Sequence, residues 1–218
     1  MQPSDKSVIR QNIITFPELG FNYWAINKNA TSSMLHYFAD QIGIRAEITE
    51  SHQQAKIMLK HLNRYIGQDE AYNNGLKNVV IVRHPFKRFE SCFRMFKFPT
   101  NDIQRRAARK ANFDRTWNSQ DFLLSIKKQW DFREKRGNKH YWKQTWFVPD
   151  LDKIDHIIKL ENLVDTWPLE IKIPTLHFNR TDKKRTSRPW DYNRDLLFHL
   201  YKDDFSAFDY KYRRGDYD

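Results

Sequence analysis

The sequence predicts an α/β fold in which helices flank a mainly parallel sheet, all within one domain. Three observations lead there. Short apolar runs at 21–27, 78–83 and 155–160 have the β-branched or aromatic make-up of buried strands. Segments with apolar residues at helical spacing separate those runs. The 218 residues suffice for one full core, with no internal repeat or low-complexity linker to divide it. Residues 1–12 read as a flexible polar tail ahead of a domain over 13–218.

The first strand is "FNYWAIN", residues 21–27. A helix carrying Met34, Leu35, Phe38 and Ile42 on one face follows, ended by Gly43. "SHQQAKIMLKHLNRYIG" predicts a second helix that fades into a loop at "QDEAYNNGLK". "NVVIVR", residues 78–83, is the clearest strand and suits the middle of a parallel sheet. The helix after it places Phe86, Phe89, Phe93 and Phe96 on one face, with Pro85 in the first turn. Residues 99–118 are charged and read as irregular. "SQDFLLSIKKQWDFREK" predicts a helix with Phe122, Leu123, Ile126 and Trp130 inward. "DHIIKL" reads as a third core strand, and "ENLVDTW" begins a short helix. Near the end, Leu196, Leu197, Leu200 and Tyr201 share a helical face.

Composition narrows the chemistry. Lys and Arg number 38 against 27 Asp and Glu, a formal charge of +11 that favours a polyanionic partner. Nucleic acid, an anionic surface, a phosphorylated cofactor and an acidic glycan all fit that charge. A single cysteine, Cys92, leaves no internal disulfide and no cysteine-based zinc site, and the histidines form no metal-ligand spacing. No signal-peptide core and no membrane span is visible, so the expectation is a soluble cytoplasmic protein without a metal.

Two segments carry site chemistry. Lys28, Asn29, Ala30, Thr31, Ser32 and Ser33 stand where the first strand passes into a helix. In an open α/β sheet ligands bind at that edge, and a helix start offers unpaired N–H groups to an anion. The same residues also suit an ordinary helix cap with a solvated lysine, and no Walker A frame is present. In the second segment Arg83 ends the 78–83 strand, where a guanidinium is costly without an anionic partner. Ser91 lies eight residues on, with Arg88 on the same helical face, away from the phenylalanines. Arg83 and Ser91 either converge on a phosphate or serve separately as a carboxylate partner and a solvent-facing hydroxyl.

Together these segments resemble the 3'-phosphoadenosine 5'-phosphosulfate (PAPS)-dependent sulfotransferases, in particular their carbohydrate branch. Lys28 to Ser33 are similar to the family's K-x-[AG]-x-[ST]-[SN] loop. Val82 to Ser91 fill each fixed position of V-R-[DEHN]-P-[FY]-x-R-x-x-S. "HYWKQTWF" looks like H-[WY]-x-x-Q, with His140 and Gln144 in register, and "DHIIKLENL" like a strand ending in E-N-L. Two positions depart: Lys143 replaces the usual proline, and His84 the usual acidic residue.

The resemblance implies a fold like that of the P-loop NTPases and metal-free in-line transfer of a sulfuryl group. The donor would be PAPS, the acceptor a hydroxyl or amine, and the product adenosine 3',5'-bisphosphate. Lys28, the 28–33 loop amides, Ser32 and Ser33 would serve the leaving phosphate, and Arg83 and Ser91 the 3'-phosphate. Lys184 and Arg185, in "DKKRTSRPW", would close over the donor. His140 would be the general base, with His36, His52 and Glu50 behind it. Glu161 reads as structural, and most of Trp117, Trp130, Trp142, Trp146 and Trp190 as core. The implied acceptor is a glycan or another hydroxyl compound. The competing readings are a basic nucleic-acid-binding protein and a P-loop-type kinase of nucleotides or small molecules. "RRAARK" (105–110) reads as a solvated face or as an attractor of an anionic glycan.

Overall fold

The computed structural model describes residues 13–44, 54–131, 138–165, 167–168 and 191–212. The chain groups into two compact units, Met1–Val82 with Phe147–Asp182 and Arg83–Trp146 with Lys183–Asp218.

The first unit holds a four-stranded sheet in the order β1 (Ile13–Phe16), β2 (Phe21–Trp24), β3 (Lys77–Val82) and β4 (His156–Lys159). β1 runs antiparallel to β2, whereas β2, β3 and β4 are mutually parallel, with Trp24 opposite Val80 and Val80 opposite Ile157. The α/β class and the mainly parallel sheet are as the sequence predicts. Helix α1 (Thr31–Gln41) lays Met34, Leu35 and Phe38 over Phe21, Tyr23, Val79 and Ile81. The Phe38 ring lies 5.0 Å from that of Phe21 and 5.3 Å from those of Phe16 and Tyr23. Each fully buried apolar side chain of this kind contributes roughly 1.5–3 kcal/mol. This packing sets the height at which the chain leaves β2 and enters α1.

Several elements differ from the sequence reading. β1 was not foreseen, because four residues are too few to show a period. It joins β2 through one 3-10 turn (Pro17–Leu19), which Gly20 closes at φ 76°, a left-handed value that favours glycine. The second helix, α2 (Gln54–His61), stops early, and Tyr65 forms a β-bridge with Ile14 instead. The expected loop at 68–77 begins with a short helix, α3 (Gln68–Asn73), which carries Asp69 and Glu70 in its first turn. β4 is an edge strand among the described residues. Only Ile158 in it is buried and Ile157 is 40% exposed, so the core position expected for it is corrected.

The second unit is helical among its described residues: α4 (Pro85–Lys97), α5 (Asp102–Lys110), α6 (Ser119–Asp131) and α7 (Arg194–Ala207). Phe86, Phe89, Phe93 and Phe96 of α4 are all buried, and Phe89 stacks on Phe122 of α6 at 5.4 Å. α5 occupies sequence read as irregular. Its Asn101 cap accepts a 3.0 Å bond from the Gln104 N–H, which holds a first turn that shows little apolar period. In α7 Leu197 and Tyr201 are buried, while Leu196 and Leu200 are half-buried beside a kink at Tyr201. Among the described residues no helix is long and apolar enough to cross a membrane.

Candidate functional site

In the first unit the chain stays buried through Ala25 and Ile26 beyond the end of β2, then turns at 27–30. The Asn29 N–H closes this turn on the Ile26 carbonyl at 3.3 Å. Lys28 has φ 72° and Ala30 φ 58°, with Asn29 between them at negative φ. Left-handed backbone at a non-glycine residue costs roughly 1–2 kcal/mol. The glycine-free loop therefore adopts a shape that glycines would favour.

Side chains hold it there. Asn29, fully buried, donates through Nδ2 to the Ile81 carbonyl of β3 at 2.9 Å. Thr31 donates its hydroxyl to the Ile26 carbonyl. Ala30 caps α1, whose first backbone bond runs from Met34 N to Ala30 O at 3.0 Å. The N–H groups of the first turn have no earlier carbonyl within the helix to bind. Ser33 is buried; Ser32 and Lys28 are half-buried. Asn29 and Thr31 thus shape the loop with their side chains. The helix start and the Lys28 charge are the groups here whose chemistry suits a compact oxyanion.

In the second unit Arg83, the residue after β3, is half-buried and its backbone is fixed on both sides. Gln144 Oε1 accepts from Arg83 N, and Gln144 Nε2 donates to Arg83 O, each at 2.9 Å. Gln144 is itself fully buried, and its N–H donates to Asp204 Oδ2 at 2.8 Å. Asp204 Oδ1 accepts from Thr145 N at 3.0 Å. Burial pushes the Asp204 carboxyl up, against the opposing pull of the nearby Arg88 guanidinium. Arg88 is only 2% exposed and donates through Nη1 to the Trp142 carbonyl at 2.6 Å. Arg88 stands on the same helix as Ser91, and its side chain braces the core. Ser91 is half-buried on α4. His84, in the position usually acidic, caps α4 by accepting the Phe86 N–H at Nδ1 (3.3 Å), the bond an acidic side chain there would accept.

His140 is half-buried, its ring edge-to-face with Phe96 at 5.9 Å. Its Nδ1 lies 2.6 Å from Asn138 Oδ1, which also accepts from the His140 backbone N–H at 3.1 Å. Trp142 is buried, and its ring and that of Trp130 lie 6.1 and 5.2 Å from that of Trp146. Trp117 is half-buried against Phe113. His36 is half-buried on α1, and Glu161 is exposed in the 3-10 turn after β4. Lys184, Arg185, Glu50, His52 and Trp190 lie outside the described residues. Arg105, Arg106, Arg109 and Lys110 are exposed on α5. Among the described residues no group of three or more His, Cys, Asp or Glu is arranged to hold a metal ion.

Sequence reasoning missed Asp204 and Asn138. Asp204 carries no local signal, while an Asn two residues before the expected base, in "NKH", was a readable hint.

A family model described as the sulfotransferase family matches residues 11–211. No curated protein and no solved structure matches the chain.

Proposed function

The chain belongs to the sulfotransferase family, and from that premise we propose that it moves a sulfuryl group from PAPS to a hydroxyl or amine of a carbohydrate acceptor. PAPS supplies an activated sulfuryl group on a phosphate leaving group. The observation that carries the reading is the left-handed turn at Lys28 and Ala30, set at the start of α1. The start of α1 that it leads into and the Lys28 ammonium suit the small, doubly charged end of such a donor. Lys28 balances charge as it develops on the leaving phosphate, assisted by Ser32 and Ser33. Arg83 and Ser91 bind the 3'-phosphate, which separates this donor from most adenine nucleotides. The Gln144 clamp supports that role, because it fixes where the Arg83 side chain starts. Lys184 and Arg185 close over the donor. His140 removes the acceptor proton during in-line attack. The protein works as a soluble, cytoplasmic enzyme.

A thermal-shift panel with adenosine 3',5'-bisphosphate, AMP and ATP tests the donor assignment. Selective stabilisation by the bisphosphate is expected, since a ligand that binds only the folded state raises the melting temperature. Arg83→Ala removes that selectivity. Equal stabilisation by all three nucleotides overturns the reading.

A further inference from the structure

We propose that Asn138 is a positioning residue for His140, holding the neutral imidazole as the Nδ1–H tautomer so that Nε2 receives the acceptor's proton. The inference rests on the reading of His140 as the base.

The amide of Asn138 is oriented by two partners that are independent of the ring. Its Nδ2 lies 3.0 Å from the Ala107 carbonyl, which only accepts. Its Oδ1 lies 3.1 Å from the His140 backbone N–H, which only donates. The atom 2.6 Å from His140 Nδ1 is therefore an amide oxygen. An amide oxygen cannot donate, so the hydrogen on that bond belongs to Nδ1. In the neutral ring the lone pair then sits on Nε2.

Asn138 is itself anchored. Its N–H donates to the Tyr141 hydroxyl at 2.8 Å, and its carbonyl accepts from Tyr141 N at 3.1 Å. Tyr141 is 1% exposed. The edge-to-face contact with Phe96 fixes the ring plane. A base oriented by a third group recurs wherever an imidazole activates a hydroxyl. In the transfer step the acceptor O–H proton passes to Nε2 as the new O–S bond forms. The S–O bond to the donor phosphate breaks, and its electron pair stays on the phosphate oxygen.

Long-range ¹H–¹⁵N spectra of protein labelled at the histidine rings read the tautomer directly, with His140→Gln assigning the signals. The expected spectrum of the unaltered protein shows His140 protonated at Nδ1 and bare at Nε2 above its titration. Asn138→Ala releases the ring to the other tautomer and lowers kcat by at least about tenfold, with KM for PAPS unchanged. Asn138→Asp, which still accepts from Nδ1, restores the tautomer and most of the turnover. A His140 ring bare at Nδ1 in the unaltered protein overturns the proposal without any variant having to fold. An unchanged tautomer in Asn138→Ala overturns it equally. Full turnover in His140→Gln, with the tautomer as expected, overturns the assignment of the base instead, so the two failures are distinct.

Discussion

Gln144 grips Arg83 from both directions, its amide oxygen on the Arg83 N–H and its amide nitrogen on the Arg83 carbonyl, each at 2.9 Å. The pairing resembles two strand residues exchanging both bonds, made here by a side chain where β3 has ended. Gln144→Ala leaves both Arg83 groups without this partner. Two such bonds contribute about 2 kcal/mol in all, so calorimetry should show a melting temperature lower by about 4–8 °C. Stabilisation by adenosine 3',5'-bisphosphate should shrink by more than that caused by AMP. A variant that melts normally and keeps its selectivity would show that the clamp does not set Arg83.

Glu90 makes a pH prediction. It is 3% exposed on α4 and accepts a 3.2 Å bond from the Tyr192 hydroxyl. Burial raises its pKa, partly countered by Lys87, the Tyr192 hydroxyl, Arg94 and Arg194. A carboxyl whose pKa is higher folded than unfolded favours the native state while protonated. Its contribution is complete below the unfolded value of about 4.3 and is lost as pH rises through the folded value. Glu90→Gln keeps an acceptor for Tyr192 and abolishes the titration. The variant should melt above the unaltered protein at pH 7, and the gap should close on acidification towards pH 4. A gap that widens towards acid would reverse the sign of the argument.

What was legible in the sequence was what neighbouring residues decide together. "NVVIVR" announces β3 by itself, and the ten-residue frame from Val82 to Ser91 lies within one strand end and one helix. Contacts made at long range were invisible. Asp204 meets Gln144 across 60 positions, and Arg88 meets Trp142 across 54. The spacing places Arg88 off the phenylalanine stripe, but its burial follows from a carbonyl that lies far along the chain. The left-handed turn at Lys28 and Ala30 was hidden too, because residues other than glycine rarely adopt it and nothing local marks it. α5 escaped notice because its stability lies in an Asn101 cap and in good helix formers, not in an apolar face.

The turn can be tested by relieving it. Ala30 sits at φ 58° as the cap of α1, where glycine is both unstrained and an acceptable cap. Ala30→Gly should raise stability by roughly 1 kcal/mol or less, after the entropy glycine adds to the unfolded chain, or up to about 4 °C. Ser32→Gly, one residue into the helix, should lower it, since glycine is a poor helix former there. A fall in both variants would mean that the left-handed geometry at Ala30 costs nothing.

Lys28→Gly separates folding from chemistry at a single position. Lys28 has φ 72°, so the lysine both strains the turn and supplies its charge. Glycine accepts the backbone and deletes the ammonium. Were Lys28 only a loop residue, the variant would fold at least as well and turn over as before. If Lys28 balances charge on the leaving phosphate, kcat should drop by about 10²–10³, the usual loss when one such group is removed. Meanwhile the melting temperature should hold or rise. Lys28→Met keeps the strain and loses the charge, so it should share the kinetic defect without the gain in stability. The paired readout decides the matter, because a misfolded loop would lower both quantities, whereas a missing charge lowers only turnover.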